Sequence, residues 1–240
     1  MNKNKEIKNI GKLIFLHLFP GIVFSIVYIF FYKLGLMEGY PKIIIASLSA
    51  VFSTIPIELG LLFYVAKKED GSYNIIKILG LKSKMNITKL IVFSLSLFVA
   101  GGILMIVLKP VSNYFLNIVF RWIPDWYNWN QDMTLFNRSI IILTIVVEFI
   151  IFTLIVPIIE EFYFRGYLLS RMKWLGKYSV LLNAVLFSVY NFQSPWLIIT
   201  RIIYMLPLYY FVNKKDSLKL GILVHCLANF IDVVLLTLLL

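Results

Sequence analysis

The sequence contains little charge and almost no cysteine, and each scarcity excludes a class of protein. Charged residues make up 15% of the chain, whereas soluble domains usually contain about 25%. Hydrophobic residues make up 60%, against about 45–50% in soluble domains. This balance excludes an ordinary soluble domain. Cys226 is the single cysteine, which excludes an internal disulfide bond and any metal site built from several cysteines.

The sequence contains several long stretches of apolar residues. Several of them reach the roughly 20 residues that a membrane helix needs. The first follows a basic N-terminus and lacks the short apolar core and small-residue cleavage site of a signal peptide, so we expect it to be retained. The sequence therefore predicts an all-α, polytopic transmembrane helix bundle of about seven spans, at residues 13–32, 43–66, 88–108, 142–170, 178–193, 196–212 and 220–240.

The net charge of +11 follows the predicted membrane topology and does not indicate a nucleic-acid partner. An excess of lysine and arginine on one side of the spans is typical of the cytoplasmic side. We therefore predict a cytoplasmic N-terminus, contact with anionic membrane lipid and, from the Lys-, Ile- and Asn-rich composition, a bacterial plasma membrane. The basic residues on the predicted inner side are Lys3, Lys5, Lys8, Lys12, Lys67, Lys68, Lys77, Lys82, Lys84, Lys89, Arg165, Arg171, Lys173, Lys177, Lys214, Lys215 and Lys219.

The predicted outer segment 119–133 is rich in aromatic residues, namely Trp122, Trp126, Tyr127 and Trp129. Such residues collect where a membrane meets water. We interpret the segment as an aromatic belt, and a lid over a substrate is the alternative.

Several polar residues lie deep in the predicted spans, where polar groups are costly and indicate function. At about 1.5 Å per helical residue, Glu160 lies roughly 16 Å from the inner boundary, and His225 and Asn229 lie at about 9 and 15 Å. Asn191 lies at about 21 Å by the same rule. We therefore predict that these four residues line one polar cavity open to the cytoplasmic side, which Glu58 of the second span could also line.

Residue spacing within the spans adds local pairs. Glu161 and Arg165 are four residues apart and can form an ion pair on one helical face, which we expect near the inner interface. Glu160 points about 100° away from Glu161 and is free to face the cavity. His225 and Asn229 share a face of the last span, where hydrogen bonding between helices is the alternative role.

Three motifs in order carry a resemblance to a known family. They are Glu160-Glu161-x-x-x-Arg165, then Phe187-x-x-x-Asn191, then His225-x-x-x-Asn229. With the flanking EEFYFRGYLL and GILVHCLANF, they resemble the CPBP or Abi family of intramembrane proteases related to the type II CAAX prenyl endopeptidases. The resemblance covers residues 140–235. It implies N-terminal spans and loops at residues 1–120 and a CAAX-protease-like core at residues 121–240.

The resemblance implies an endopeptidase that cleaves a peptide or a lipidated-peptide precursor near the cytoplasmic leaflet. Glu160 would activate a water molecule, and the Glu161–Arg165 pair would hold the motif helix. His225 and Asn229 would bind the developing oxyanion, where each donor in a pocket of low dielectric contributes roughly 3–4 kcal/mol.

The second motif departs from the family, which has histidine at the position of Asn191. An asparagine cannot take up a proton near neutral pH, although its amide can orient a water molecule. Without that histidine, Glu160 and His225 fall short of the three protein ligands usual for catalytic zinc, so we expect no metal or other cofactor. Two interpretations stay open: a glutamate-type intramembrane peptidase, or a non-catalytic relative acting as a pseudoprotease, a bacteriocin-immunity protein or a membrane scaffold.

Overall fold

The computed structural model describes residues 6–35, 38–80, 85–129 and 131–240, and these residues form helices with no strand among them. This confirms the predicted all-α helix bundle. Lys3, Lys5, Lys82 and Lys84 of the predicted inner segments lie outside the described residues. The helices are α1 (Ile10–Lys33), α2 (Lys42–Phe52), α3 (Thr54–Asp70), α4 (Ile87–Val107), α5 (Lys109–Tyr114), α6 (Arg138–Arg171), α7 (Tyr178–Tyr190), α8 (Ile198–Lys214) and α9 (Leu218–Thr237).

Within the described residues, six helical runs are long and apolar enough to cross a membrane. They are α1, α2 with α3, α4, α6, α8 with the turn before it, and α9. Helix α7 is apolar but has 13 residues, which extend about 20 Å. Six long helices and this shorter one agree with the predicted seven spans, and the chain is a multi-pass membrane protein.

The second span is broken at Ser53, between α2 and α3. Pro56 has no backbone N–H, and its ring interferes with a carbonyl four residues earlier, so a helix is interrupted just before it. Ser53 accordingly leaves helical geometry, with φ −129° and ψ −78°. The break places Thr54 and Glu58 at the start of α3, where both are buried.

Helix α6 contains two wide π turns, at Phe149–Ile155 and Glu161–Leu168. Pro157 lies between them and has no N–H to complete a regular α-helical ladder. A wide turn holds more residues than a regular one, so it rotates the side chains that follow, and such turns are frequent at functional sites. The second wide turn carries Glu161 and Arg165.

Gly21 lets α1 approach the end of α7 closely, because a Cβ at this position would overlap the backbone carbonyl of Tyr190. A backbone carbonyl cannot move aside as a flexible side chain can. We therefore expect Gly21→Ala to lower the free energy of unfolding by about 1–3 kcal/mol.

Gly60→Ala in α3 is the matched control for Gly21→Ala. A Cβ at Gly60 would meet no described atom within 4 Å, and alanine favours a helix over glycine by about 1 kcal/mol. Denaturant unfolding in detergent should therefore separate the two variants. Equal stability of both would contradict the close contact between α1 and α7.

Candidate active site

Helices α6 and α9 bring the first and third motifs into contact. Gly221 permits this approach, since a Cβ there would overlap the carboxylate of Glu161. His225 Nδ1 lies 3.2 Å from Glu161 Oε1, and His225 Nε2 lies 3.7 Å from Glu160 Oε2. The exposed fractions of Glu160, Glu161 and His225 are 7%, 0% and 5%. The structure therefore places two carboxyl groups and one imidazole together inside the bundle.

The contact with Glu161 orients the imidazole of His225. Because a carboxylate only accepts hydrogen bonds, Nδ1 carries a hydrogen and donates it to Glu161. The other ring nitrogen, Nε2, then faces Glu160. Their separation of 3.7 Å is longer than a hydrogen bond. The sequence spacing predicted that Glu161 pairs with Arg165, but it did not predict that Glu161 also contacts His225.

Arg165 pairs with Glu161 inside the protein, and the predicted position of the pair near the inner interface stays a prediction. Its Nε lies 3.5 Å from Glu161 Oε1, and both side chains are fully buried. Among the described residues, none of the guanidinium nitrogens has a hydrogen-bond partner. The guanidinium carbon instead lies 3.7 Å from the ring centre of Tyr209 and 4.0 Å from that of Phe187. Cation–π attraction strengthens when water is excluded, so the rings of α7 and α8 stabilise this buried charge.

Asn191 follows the last residue of α7, and its side chain caps that helix. Its Nδ2 donates to the carbonyl of Phe187 at 2.8 Å, and its Oδ1 accepts from Gln193 at 2.9 Å. The last carbonyls of a helix have no partner within the helix, which explains the first contact. The predicted role of Asn191 in orienting a water molecule stays a prediction.

Asn229 connects α9 to the first wide turn of α6. Its Nδ2 donates to the carbonyl of Phe152 at 2.7 Å. This is the hydrogen bond between helices that the sequence offered as the alternative role. Its predicted role as an oxyanion donor stays a prediction.

Tyr190 is a site residue that sequence reasoning missed. Its hydroxyl lies 3.0 Å from Glu160 Oε1 and 3.1 Å from Glu58 Oε1, and all three side chains are buried. A tyrosine in an apolar helix usually packs in the hydrophobic core, so the sequence offered little reason to select it. Its position next to Asn191 was the one signal that could have indicated a place in the site. The contact also places Glu58 next to Glu160.

A small cavity borders Glu160. Its volume is about 20 Å³, and a water molecule needs about 10–15 Å³ measured in this way. One water molecule therefore fits next to the carboxyl group. The predicted opening to the cytoplasmic side stays a prediction. The residues that line the cavity are Gly21, Phe24, Ala50, Thr54, Phe152, Val156, Glu160, Tyr190 and Gln193.

A comparison against known families matches the part of the chain that carries the three motifs. Residues 142–231 match the family model described as type II CAAX prenyl endopeptidase Rce1-like. Residues 142–231 are thus an Rce1-like segment. The match includes all three motifs and confirms the predicted similarity to the CPBP family. No curated protein and no solved structure matches the chain.

Part of the aromatic segment 119–133 packs against residues that line the cavity next to Glu160. The ring centre of Trp129 lies 5.6 Å from that of Phe24 and 5.8 Å from that of Phe152, and both phenylalanines line the cavity. The Tyr127 hydroxyl lies 3.3 Å from the carbonyl of Phe192, in the turn after α7. Burial raises the pKa of Tyr127, so this hydroxyl remains a donor at neutral pH. Trp122 is 73% exposed, as expected for a membrane belt.

The expectation that the site holds no zinc ion stays a prediction, and the described side chains supply few ligands for one. A catalytic zinc site uses three protein ligands and keeps one position for water. Glu160 and His225 supply two groups, Glu161 is paired with His225 Nδ1 and Arg165, and the amide of Asn191 caps α7. Among the described residues, no three His, Cys, Asp or Glu side chains are grouped so that they could hold a metal ion.

Proposed function

We propose that the protein is an intramembrane endopeptidase in which Glu160 activates water to hydrolyse a peptide bond. One observation carries the proposal: Glu160 borders a cavity for one water molecule and faces His225 of the third motif. The Rce1-like match supports the reaction class. The substrate we propose is a membrane-associated peptide or a lipidated-peptide precursor.

The reaction needs a base, an oxyanion site and a proton for the leaving amine. Glu160 takes a proton from the water as its oxygen bonds to the scissile carbonyl carbon, and it then returns the proton to the amine nitrogen as the C–N bond breaks. Because Nδ1 of His225 donates to Glu161, the ring can donate to the oxyanion from Nε2 only when both ring nitrogens carry hydrogen, and Asn229 is the second donor. Asn229 must then exchange the Phe152 carbonyl for the substrate. No step of this mechanism uses a metal ion or another cofactor.

The proposed setting is a bacterial plasma membrane with the N-terminus in the cytoplasm. The basic segments on the predicted inner side support this orientation. The substrate would then reach the site from the cytoplasmic leaflet, with membrane lipid around the bundle and no nucleic acid bound.

Membrane peptidomes from cells that express the wild type or Glu160→Gln test this function. We expect peptides with new termini in the wild-type membranes and their intact precursors in the variant. Identical peptidomes at equal protein levels would contradict a peptidase.

A non-catalytic relative is the second candidate, and the capping role of Asn191 supports it. The family histidine at that position is thought to act on the water, and here the amide contacts Phe187 and Gln193. A pseudoprotease, a bacteriocin-immunity protein or a membrane scaffold would work through binding alone. Its biological effect should survive Glu160→Gln.

Asn191→His separates the two candidates. In a peptidase, the imidazole should raise turnover, because a general base contributes about 10²–10⁴-fold. The pH–rate profile should gain a step at about pH 6.5, the usual pKa of histidine. Cleavage rates between about pH 5 and pH 8 measure both effects. Equal turnover and an unchanged profile would show that this position takes no part in proton transfer.

A further inference from the structure

The two glutamates and the tyrosine of the site form a chain of three oxygen-bearing groups. The Tyr190 hydroxyl lies between Glu58 Oε1 at 3.1 Å and Glu160 Oε1 at 3.0 Å. A phenol carries one hydrogen and can donate it to one of the two carboxyl groups. Two carboxylates cannot donate, so a hydrogen bond at each end requires a second proton. Hydrogen bonds from Tyr190 to both glutamates are satisfied only when one of the two carboxyl groups is protonated.

The surroundings assign this proton to Glu58. Glu58 is fully buried, and its Oε2 has no hydrogen-bond partner among the described residues. An ionised carboxylate without partners is costly to bury. Glu160 is slightly exposed and borders the cavity that fits a water molecule, so a charge on Glu160 can be hydrated.

We propose that Glu58 is a positioning residue that holds a proton and, through Tyr190, keeps Glu160 ready to act as a base. The Glu58 carboxyl donates to the Tyr190 oxygen, and the Tyr190 hydroxyl donates to Glu160 Oε1. Glu160 Oε2 is left free to accept the proton of water. This role rests on the proposed peptidase function and compensates in part for the histidine that Asn191 replaces.

Two variants of Glu58 test the direction of these hydrogen bonds. In Glu58→Gln, the amide N–H donates to Tyr190 as the carboxylic acid does, so kcat should stay within about threefold of the wild type. Glu58→Leu has similar volume and no donor. Its kcat should fall about 5- to 10-fold, the effect of losing the one hydrogen bond between uncharged groups that holds the Tyr190 hydroxyl in place. KM should change little.

Tyr190→Phe is the second test, and it guards against misfolding of Glu58→Leu. It removes the donor to Glu160 and should lower kcat roughly 10- to 100-fold, the effect of losing one hydrogen bond to a charged group. A carboxylate that loses a donor is protonated more easily, so the acidic limb of the pH–rate profile should move to higher pH. The other ionisable groups around Glu58 are Tyr163 and Arg165, and both variants leave them in place.

An infrared measurement tests the proton on Glu58 without any cleavage assay. The carbonyl band of protonated carboxylic acids should lose intensity in purified Glu58→Gln relative to the wild type. A wild type that cleaves nothing would end the peptidase proposal, and the infrared result would still decide the protonation. Three results would each overturn the role of Glu58. They are an unchanged carbonyl band in Glu58→Gln, loss of activity in Glu58→Gln, and full activity in folded Glu58→Leu.

Discussion

Glu160→Gln should reduce the rate of peptide cleavage by about 10²–10⁴-fold, the usual contribution of a general base. Glutamine has the same shape and can still accept the hydrogen bond of Tyr190, but it cannot take a proton from water. The helix bundle should therefore remain folded while the reaction stops. Purified protein in lipid nanodiscs, with a substrate found by peptidomics, gives the rates of both forms.

Glu148→Gln is the matched control for this experiment. Glu148 is a buried glutamate of the same helix, with an exposed fraction of 7%, and it lies in the turn before the first wide segment. It does not line the cavity, so the variant should cleave at close to the wild-type rate. Equal losses in Glu148→Gln and Glu160→Gln would show a general effect on the bundle and would contradict the assignment of the base.

Arg165→Leu should lower the free energy of unfolding by about 3–5 kcal/mol. The variant leaves Glu161 fully buried without its cation, and removal of one partner from a buried ion pair strands the other charge. It also removes the guanidinium that packs against Phe187 and Tyr209. Protein yield and denaturant unfolding in detergent measure the loss.

A double variant separates the stranded charge from lost packing. Adding Glu161→Gln to Arg165→Leu removes the uncompensated charge and should recover part of the stability, so the two effects should not be additive. If Arg165→Leu unfolds at the wild-type denaturant concentration, the Glu161–Arg165 pair does not hold the motif helix.

The features that the sequence predicted correctly depend on composition, length and local spacing. Apolar stretches of sufficient length indicate membrane helices whatever surrounds them. The spacing of Glu161 and Arg165 produced an ion pair because it depends on one helix alone. Similar depths for Glu160 and His225 were consistent with their contact.

The features that the sequence did not predict depend on how helices are rotated about their axes. Depth along a helix does not tell which neighbour a side chain faces, so the sequence did not predict the backbone partners of Asn191 and Asn229. The wide turns of α6 change that rotation, and nothing in the motif spacing reveals them. Tyr190 was missed because its role requires Glu58, which comes from a distant helix.

Cleavage in water enriched in the heavy oxygen isotope tests the central claim most directly. Wild-type protein in nanodiscs, in excess over the substrate, should cut it in a single turnover. The account predicts one heavy oxygen in the new carboxyl terminus of the product and none in Glu160, because water attacks the peptide carbonyl itself. A product without label, label on Glu160, or no product from folded protein would contradict hydrolysis by water that Glu160 activates.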